Sequence, residues 1–380
     1  MNKKVGIMSM QRVVNYGSFL QAYSLKRNFE QLGAEVQFVD YRPGEVLVKK
    51  TRTDKKKKRA VIEKIMDRCL FPRRMSRKYR DKSWNLYNRF EKEYSDYIKK
   101  NLGVTQEKCY DPQLDLMVIG SDEVFNCLQP NPGVGFSHDL FGANSRAKYI
   151  ASYAASFGNT NEKGLYKYGI YDQVKGMINR FDMISARDKN SCDILGKMYK
   201  GEVSKNVDPV FLYDYSEETK INVPEEHYLV VYAYACRISK SESAEIIRFA
   251  RKKRLKIICL CAPQEYLPGY RKLNPFEVLA WIRKADYVVT DTFHGTVFSI
   301  KYNRRFATFI RKGREGSYGN SDKLSDLLNT FGLGNRSINR LSELKNILET
   351  PVDYEPVNRR IREEREKSAQ YLKQAVMLGE

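Results

Sequence analysis

The 380-residue chain reads as an α/β protein of two Rossmann-like domains facing a cleft. Three observations point there. Short apolar runs alternate with stretches of helical spacing, the pattern of parallel strands joined by helical crossovers. The alternation stops at a polar segment without periodicity, Asp214 to Glu226, and then begins again. The length, with 42% hydrophobic and 12% aromatic residues, supplies two cores at roughly 100–200 residues per domain.

Val5-Gly-Ile-Met opens as a buried strand. Tyr16-Gly-Ser starts a segment in which Phe19, Ala22, Leu25, Phe29 and Leu32 keep helical spacing until Gly33 stops it, and Val36 to Asp40 is the next strand. Strand runs follow at Leu114 to Ile119, Lys148 to Tyr153 and Asp182 to Ser185. After the polar segment come Tyr228 to Tyr234, Lys256 to Cys261, Tyr287 to Thr290 and Phe306 to Ile310, separated by helices near 241–254, 275–284 and 293–302. A charged helix from Pro356 to Leu378 ends the chain. The expected organisation is a first domain over 1–215, a linker over 216–225, a second domain over 226–350, and a terminal helix over 351–380 that packs back on the first.

With 67 Lys and Arg against 46 Asp and Glu, the net charge is +21. More than half lies in one stretch: residues 49–82 hold 16 basic and four acidic residues, leaving +9 for the rest of the chain. A nucleic-acid-binding surface over the whole protein is therefore not indicated. Within the stretch, Val61, Ile62, Ile65, Met66, Cys69 and Leu70 would share one face of a helix. Such a basic amphipathic helix either lies on an anionic membrane surface or packs on its own domain beneath solvated lysines.

The seven cysteines are scattered, with no CxxC pair, which suits reduced thiols. No run of 18 apolar residues and no signal peptide is evident, so a cytoplasmic location is expected, with at most peripheral membrane contact. Walker and GxGxxG fingerprints are absent, and three histidines without a second ligand at metal spacing point to no metal site.

The chemistry-bearing features are polar turns at strand ends. Asp291-Thr-Phe-His-Gly-Thr-Val297 follows a strand, so a helix starting near His294 would aim free N–H groups at the cleft, with Gly295 allowing close approach. His294 is then either a titratable ligand or a helix cap. Arg187, in Ser185-Ala-Arg-Asp-Lys189, either grips a phosphate or carboxylate through its planar fork or makes an ordinary ion pair. Gly120-Ser-Asp-Glu-Val-Phe-Asn126 offers hydroxyl, amide and carboxylates suited to sugar hydroxyls, or a turn in which Ser121 or Asp122 caps a helix.

Taken in order, Asn15-Tyr-Gly-Ser-Phe-Leu-Gln-Ala-Tyr23, Gly120 to Asn126, Ser185-Ala-Arg-Asp188, Val207-Asp-Pro209 and Thr292-Phe-His-Gly295 resemble the polysaccharide pyruvyl transferase family over nearly all of Lys3 to Arg336. The resemblance implies a fold similar to GT-B glycosyltransferases. It also implies transfer of the enolpyruvyl unit of phosphoenolpyruvate onto two hydroxyls of one sugar, as a cyclic ketal. Phosphoenolpyruvate is then a substrate, and no cofactor or metal is required.

On that basis Arg187 and His294 match the donor-binding arginine and histidine, His294 as phosphate ligand or general acid. Thr292, Phe293 and Gly295 fall beside the donor, and Asp122 or Glu123 is the candidate base. Asn15, Tyr16, Gly17, Ser121, Asp122 and Asn126 fall on the acceptor side. Relatives often carry an arginine where Thr292 stands, so Arg311 or Arg314 is a candidate replacement cation. Lys323 stands where relatives frequently have arginine. Acceptors in this family are commonly saccharides, many built on a polyprenyl diphosphate at the inner membrane face, which would give residues 49–82 a purpose. A nucleotide-sugar glycosyltransferase would share the same cleft. A nucleic-acid binder would use the basic stretch, but Phe71, Tyr79 and Trp84 are too sparse there for base stacking.

Overall fold

The computed structural model describes residues 3–48, 77–311 and 321–379. The basic stretch up to residue 76, with its expected helix, and Arg314 lie outside the described residues.

Among the described residues there are two wholly parallel sheets. The first contains β1 (Lys4–Met8), β2 (Glu35–Phe38), β3 (Leu116–Asp122), β4 (Tyr149–Ala155), β5 (Ile184–Ala186) and β6 (Val203–Lys205), in spatial order β2-β1-β3-β4-β5-β6. The second contains β7 (Tyr228–Ala233), β8 (Lys256–Cys261), β9 (Tyr287–Thr290), β10 (Arg305–Phe309) and β11 (Ser337–Ile338), in order β11-β10-β9-β7-β8. Both are doubly wound, as the sequence alternation predicts. In each, chain direction across the sheet reverses beside the first strand, between β1 and β3 and between β7 and β9. In open α/β sheets the crevice at that reversal, outside the strands' carboxyl ends, is where ligands bind.

The helices are α1 (Tyr16–Gln31), α2 (Arg77–Leu102), α3 (Glu162–Lys167), α4 (Tyr171–Ile178), α5 (Lys189–Met198), α6 (Lys240–Lys252), α7 (Pro275–Lys284), α8 (Phe293–Lys301), α9 (Ser321–Thr330), α10 (Leu344–Glu349) and α11 (Glu355–Val376). Two of them carry the site. α1 starts where the Asn15 side chain accepts from Gly17 N (2.8 Å) and Ser18 N (3.2 Å), satisfying two otherwise orphaned amides. α8 starts where Thr292 Oγ1 accepts from Gly295 N (2.9 Å).

The strand over Gly120, Ser121 and Asp122 corrects the turn-and-cap reading of that motif: β3 runs on through Asp122, and no helix follows directly. β6 and β11, of three and two residues, are too short to leave an alternation in the sequence.

The two sheets share packing rather than merely facing one another. Phe19 and Tyr23 of α1 meet Phe276 of α7 at ring-centroid distances of 5.6 and 5.0 Å. The segment between β6 and β7 forms no helix or strand over 214–226, yet Tyr215 is buried and its hydroxyl donates to Leu20 O (2.7 Å). Each such buried aromatic contributes roughly 1.5–3 kcal/mol over exposure. In α11, Tyr371 donates to Ser152 O (2.8 Å) and the Ser368 hydroxyl takes Asn206 Nδ2 (3.3 Å), so the last helix rests on the first sheet.

Candidate active site

The two chain reversals face each other. From the first sheet, Asn15 and Ser18 arrive at the start of α1, Asp122 and Glu123 at the end of β3, and Arg187 directly after β5. From the second, Tyr234 follows β7, Asp291 to His294 follow β9, and Lys323 lies on α9. Together they line one narrow, polar cleft.

Arg187 and His294, singled out separately in the sequence, meet on a third residue. Arg187 Nη1 donates to Asp208 Oδ2 (2.8 Å) and Nη2 to Asp122 Oδ1 (3.1 Å), while the guanidinium carbon sits 4.4 Å from the centre of the Phe293 ring. Its side chain is 1% exposed, so the ordinary surface-pair reading does not apply. Burial alone would lower its pKa, but Asp122 and Asp208 outweigh that and raise it. His294 Nε2 lies 3.3 Å from the same Asp208 Oδ2, within ion-pair distance though off a hydrogen-bonding line. Asp208 is itself buried and fixed by accepting from Val210 N (3.1 Å). Burial pushes its pKa up, and His294 and then Arg187 bring it below the usual carboxylate range.

Asp208 received no role from the sequence, although it sits in the Val207-Asp-Pro209 motif. The one available signal was that motif's place in the resemblance; β6, which aims it at the cleft, leaves no periodic trace.

Asp122, a candidate base, is already committed. Oδ2 accepts from Ser18 Oγ (2.6 Å), and Oδ1 accepts from Glu123 N (2.9 Å) as well as from Arg187. Burial raises its pKa, yet Arg187, His294 and the Ser18 bond hold it down to about 2. A carboxylate so stabilised is a poor proton acceptor and a good anchor. Glu123 pairs with Lys323 across the cleft, and its other oxygen accepts from Asn126 Nδ2 (3.0 Å).

Thr292 and Phe293 line the cleft, Thr292 capping α8 and Phe293 lying beneath Arg187. The amides of Phe293 and His294 occupy the first two positions of α8, where a helix offers them no internal acceptor. Gly295 does not leave room for a ligand as expected: a Cβ there would stand 2.2 Å from Thr290 Oγ1, so the glycine lets α8 pack on β9.

Arg311 does not line the cleft. It donates to Glu242 Oε1 (2.5 Å) and to Asp291 Oδ2 (3.3 Å), behind the cleft wall, so the expected replacement for the arginine missing at Thr292 points elsewhere.

Of the expected acceptor residues, Asn15 faces the cleft and donates from Nδ2 to Tyr234 Oη (3.1 Å), joining the two sheets' loops. Gly17 backs His294. Asp122 lines the cleft, held by Ser18 and Arg187, and Tyr16, Ser121 and Asn126 turn away. Tyr16 is buried against Phe90, its hydroxyl donating to Leu273 O (2.9 Å). Ser121 is wholly buried and donates to Ala154 O (2.8 Å) on the neighbouring strand β4. Asn126 lies behind Glu123 and takes Thr160 Oγ1 (2.8 Å).

Among the described residues no helix is long and apolar enough to cross a membrane, and no group of three or more His, Cys, Asp or Glu could hold a metal ion.

In sequence, no curated protein matches the chain significantly. Among solved structures it is similar to the alpha,alpha-trehalose 6-phosphate synthase of Burkholderia multivorans, at 9% identity and TM-score 0.46, covering 99% of this chain and 94% of that one. Similar too is the UDP-GlcNAc 2-epimerase of Neisseria meningitidis, at 8% identity and TM-score 0.45, covering 99% and 100%. A mutant O-GlcNAc transferase of Thermobaculum terrenum matches at 12% identity and TM-score 0.42, over 98% of this chain and 66% of that one. The family model for polysaccharide pyruvyl transferase matches residues 15–312, a span that begins at the Asn15 cap and takes in Asp122, Arg187, Asp208 and His294. With most of its length and this whole constellation inside that match, the chain belongs to the polysaccharide pyruvyl transferase family.

Proposed function

We propose that the protein transfers the enolpyruvyl unit of phosphoenolpyruvate to two hydroxyls of a sugar in a saccharide acceptor, forming a pyruvate ketal. The observation that carries this reading is the meeting of Arg187 and His294, from different sheets, on the buried carboxylate of Asp208.

Phosphoenolpyruvate carries about three negative charges at neutral pH. Arg187 fixes one anionic group, and the first-turn amides of α8 offer a second hold through the positive end of the helix. A proton added to the methylene carbon makes the neighbouring carbon electrophilic. One sugar hydroxyl adds there, the carbon–oxygen bond to phosphate breaks, and the second hydroxyl closes the ring. Of the two hydroxyl protons, one balances the proton that made the methyl group and one leaves with phosphate. His294 handles the proton or holds the departing phosphate. Asp122 and Asp208 keep Arg187 in place. The family implies a saccharide acceptor; we extend this to a lipid-linked one, reached by an enzyme held to anionic lipid through residues 49–82.

The test is incubation with phosphoenolpyruvate and a panel of saccharides. A saccharide gaining one ketal-linked pyruvate by mass spectrometry, with phosphate released in equal amount, is the expected result. Thermal protection by a nucleotide sugar and none by phosphoenolpyruvate would replace this reading with glycosyl transfer.

A further inference from the structure

We propose that Lys323 is a second anion-binding group of the cleft, held in reserve by Glu123, and that an entering anionic donor takes Lys323 from Glu123. This deepens the reading above and rests on it only for the identity of the donor.

Lys323 and Glu123 come from different sheets and form an ion pair with side chains 8% and 10% exposed. Burying such a pair costs desolvation that its own attraction barely repays, so stability is a weak reason for it. It is not needed as a tether either. Asp326, one turn further along α9, already receives Lys205 Nζ (2.9 Å) and Lys189 N (3.2 Å) from the first sheet's side. The pair sits instead on the cleft wall, beside Arg187, Thr292 and His294.

Its geometry relative to Arg187 is specific. The Phe293 ring carries the Arg187 guanidinium at 4.4 Å and the Lys323 ammonium at 5.9 Å, which places two cations against one aromatic plate at the start of α8. Phosphoenolpyruvate has two separate anionic groups to hold. The charge of Arg187 is shared between Asp122 and Asp208, and its rigid fork is fixed by both. Lys323 is a point charge on a flexible stem, able to swing toward a new partner as a rigid fork is not. Glu123 is prepared for the exchange: Asn126 Nδ2 donates to its Oε2 (3.0 Å), and Gly158 packs so closely that a Cβ there would stand 2.5 Å from that oxygen. The carboxylate therefore keeps its position when Lys323 leaves.

Calorimetric titration of phosphoenolpyruvate and, separately, of inorganic phosphate into the full chain and three variants tests this. Lys323→Met should weaken binding of both at least about tenfold, and Lys323→Arg should restore most of it, as expected for a charge contact. Glu123→Gln should tighten binding severalfold, because the competing carboxylate is gone. Opposite signs for the two partners are what a merely structural salt bridge does not produce. Unchanged binding in Lys323→Met, equal weakening in Lys323→Met and Glu123→Gln, or no binding of either anion to the wild type overturns the proposal. The same pattern with phosphate but no binding of phosphoenolpyruvate keeps the exchange and removes that donor.

Discussion

Gly17 lies so close to His294 that a Cβ added to it would stand 2.1 Å from the ring's Nδ1 and 2.2 Å from Cγ. The first turn of α1 thus forms one wall behind the histidine, and the ring is closed in by Phe298 at 6.0 Å and Phe293 at 5.4 Å between centroids. Glycine is required here for space alone. A residue at the start of α1, on one sheet, therefore sets where a residue at the start of α8, on the other, can stand.

Gly17→Ala should accordingly displace the ring. Overpacking of this kind costs about 1–3 kcal/mol, and transfer should fall tenfold or more as His294 leaves its place beside Asp208. Melting temperature and initial rate measure the two effects. Gly176→Ala on α4, where nothing lies within 4 Å of the added Cβ, is the control and should be neutral or slightly stabilising. Wild-type rate and stability in Gly17→Ala would remove the proposed constraint.

Asp208 is a positioning residue for both Arg187 and His294, so its loss should overlap with theirs. His294→Ala is expected to slow transfer at least about a hundredfold, and Asp208→Asn by a comparable factor. The double variant should be little slower than the worse single one, because groups acting as a unit lose their function once. Losses that multiply fully would mean that Asp208 does not act through His294.

Much of this site was legible because strand, turn and helix are local. The spacing after Thr290 places His294 at a helix start, and the run before Arg187 places it at a strand end. What those segments could not carry was direction. Ser121 and Tyr16 belong to recognisable motifs, but one faces away along β3 and the other turns down into the aromatic packing with Phe90. Nor could they reveal partnership over distance: Arg187 and Asp208 are 21 residues apart, and His294 lies on the other sheet. Nor does a glycine in a turn announce its reason: only the tertiary structure shows how little room lies between Gly295 and Thr290.

The turned-away residues give a prediction of small effect. Tyr16→Phe removes the bond to Leu273 O and Ser121→Ala the bond to Ala154 O, each costing about 0.5–1.5 kcal/mol of stability. Neither should change the acceptor KM. A severalfold rise in that KM with unchanged stability would return either residue to the acceptor site.

Residues 49–82 make a separate claim, from charge alone. If they hold the enzyme on anionic lipid at about 1 kcal/mol per basic residue, replacing Lys55, Lys56, Lys57, Lys58 and Arg59 by Gln should lower sedimentation with phosphatidylserine vesicles more than tenfold. Transfer to a soluble acceptor should persist. Unchanged vesicle binding would end the membrane proposal without touching the chemistry.

Asp122 links the site to acid stability. Its folded pKa is about 2 against an ordinary 3.8, despite the opposing effect of burial. For a depressed carboxylate the stabilisation is complete above the unfolded pKa and disappears as pH falls through the folded one. A difference of nearly two units corresponds to roughly 2 kcal/mol. Asp122→Asn should therefore unfold at a lower temperature than wild type at pH 7, by an amount that stays constant down to about pH 5. It should then narrow from about pH 4 toward pH 2 as the wild-type carboxylate takes up its proton. A gap that stays the same down to pH 3 would show that Asp122 contributes through packing and hydrogen bonds, and that the charge of Arg187 is balanced elsewhere.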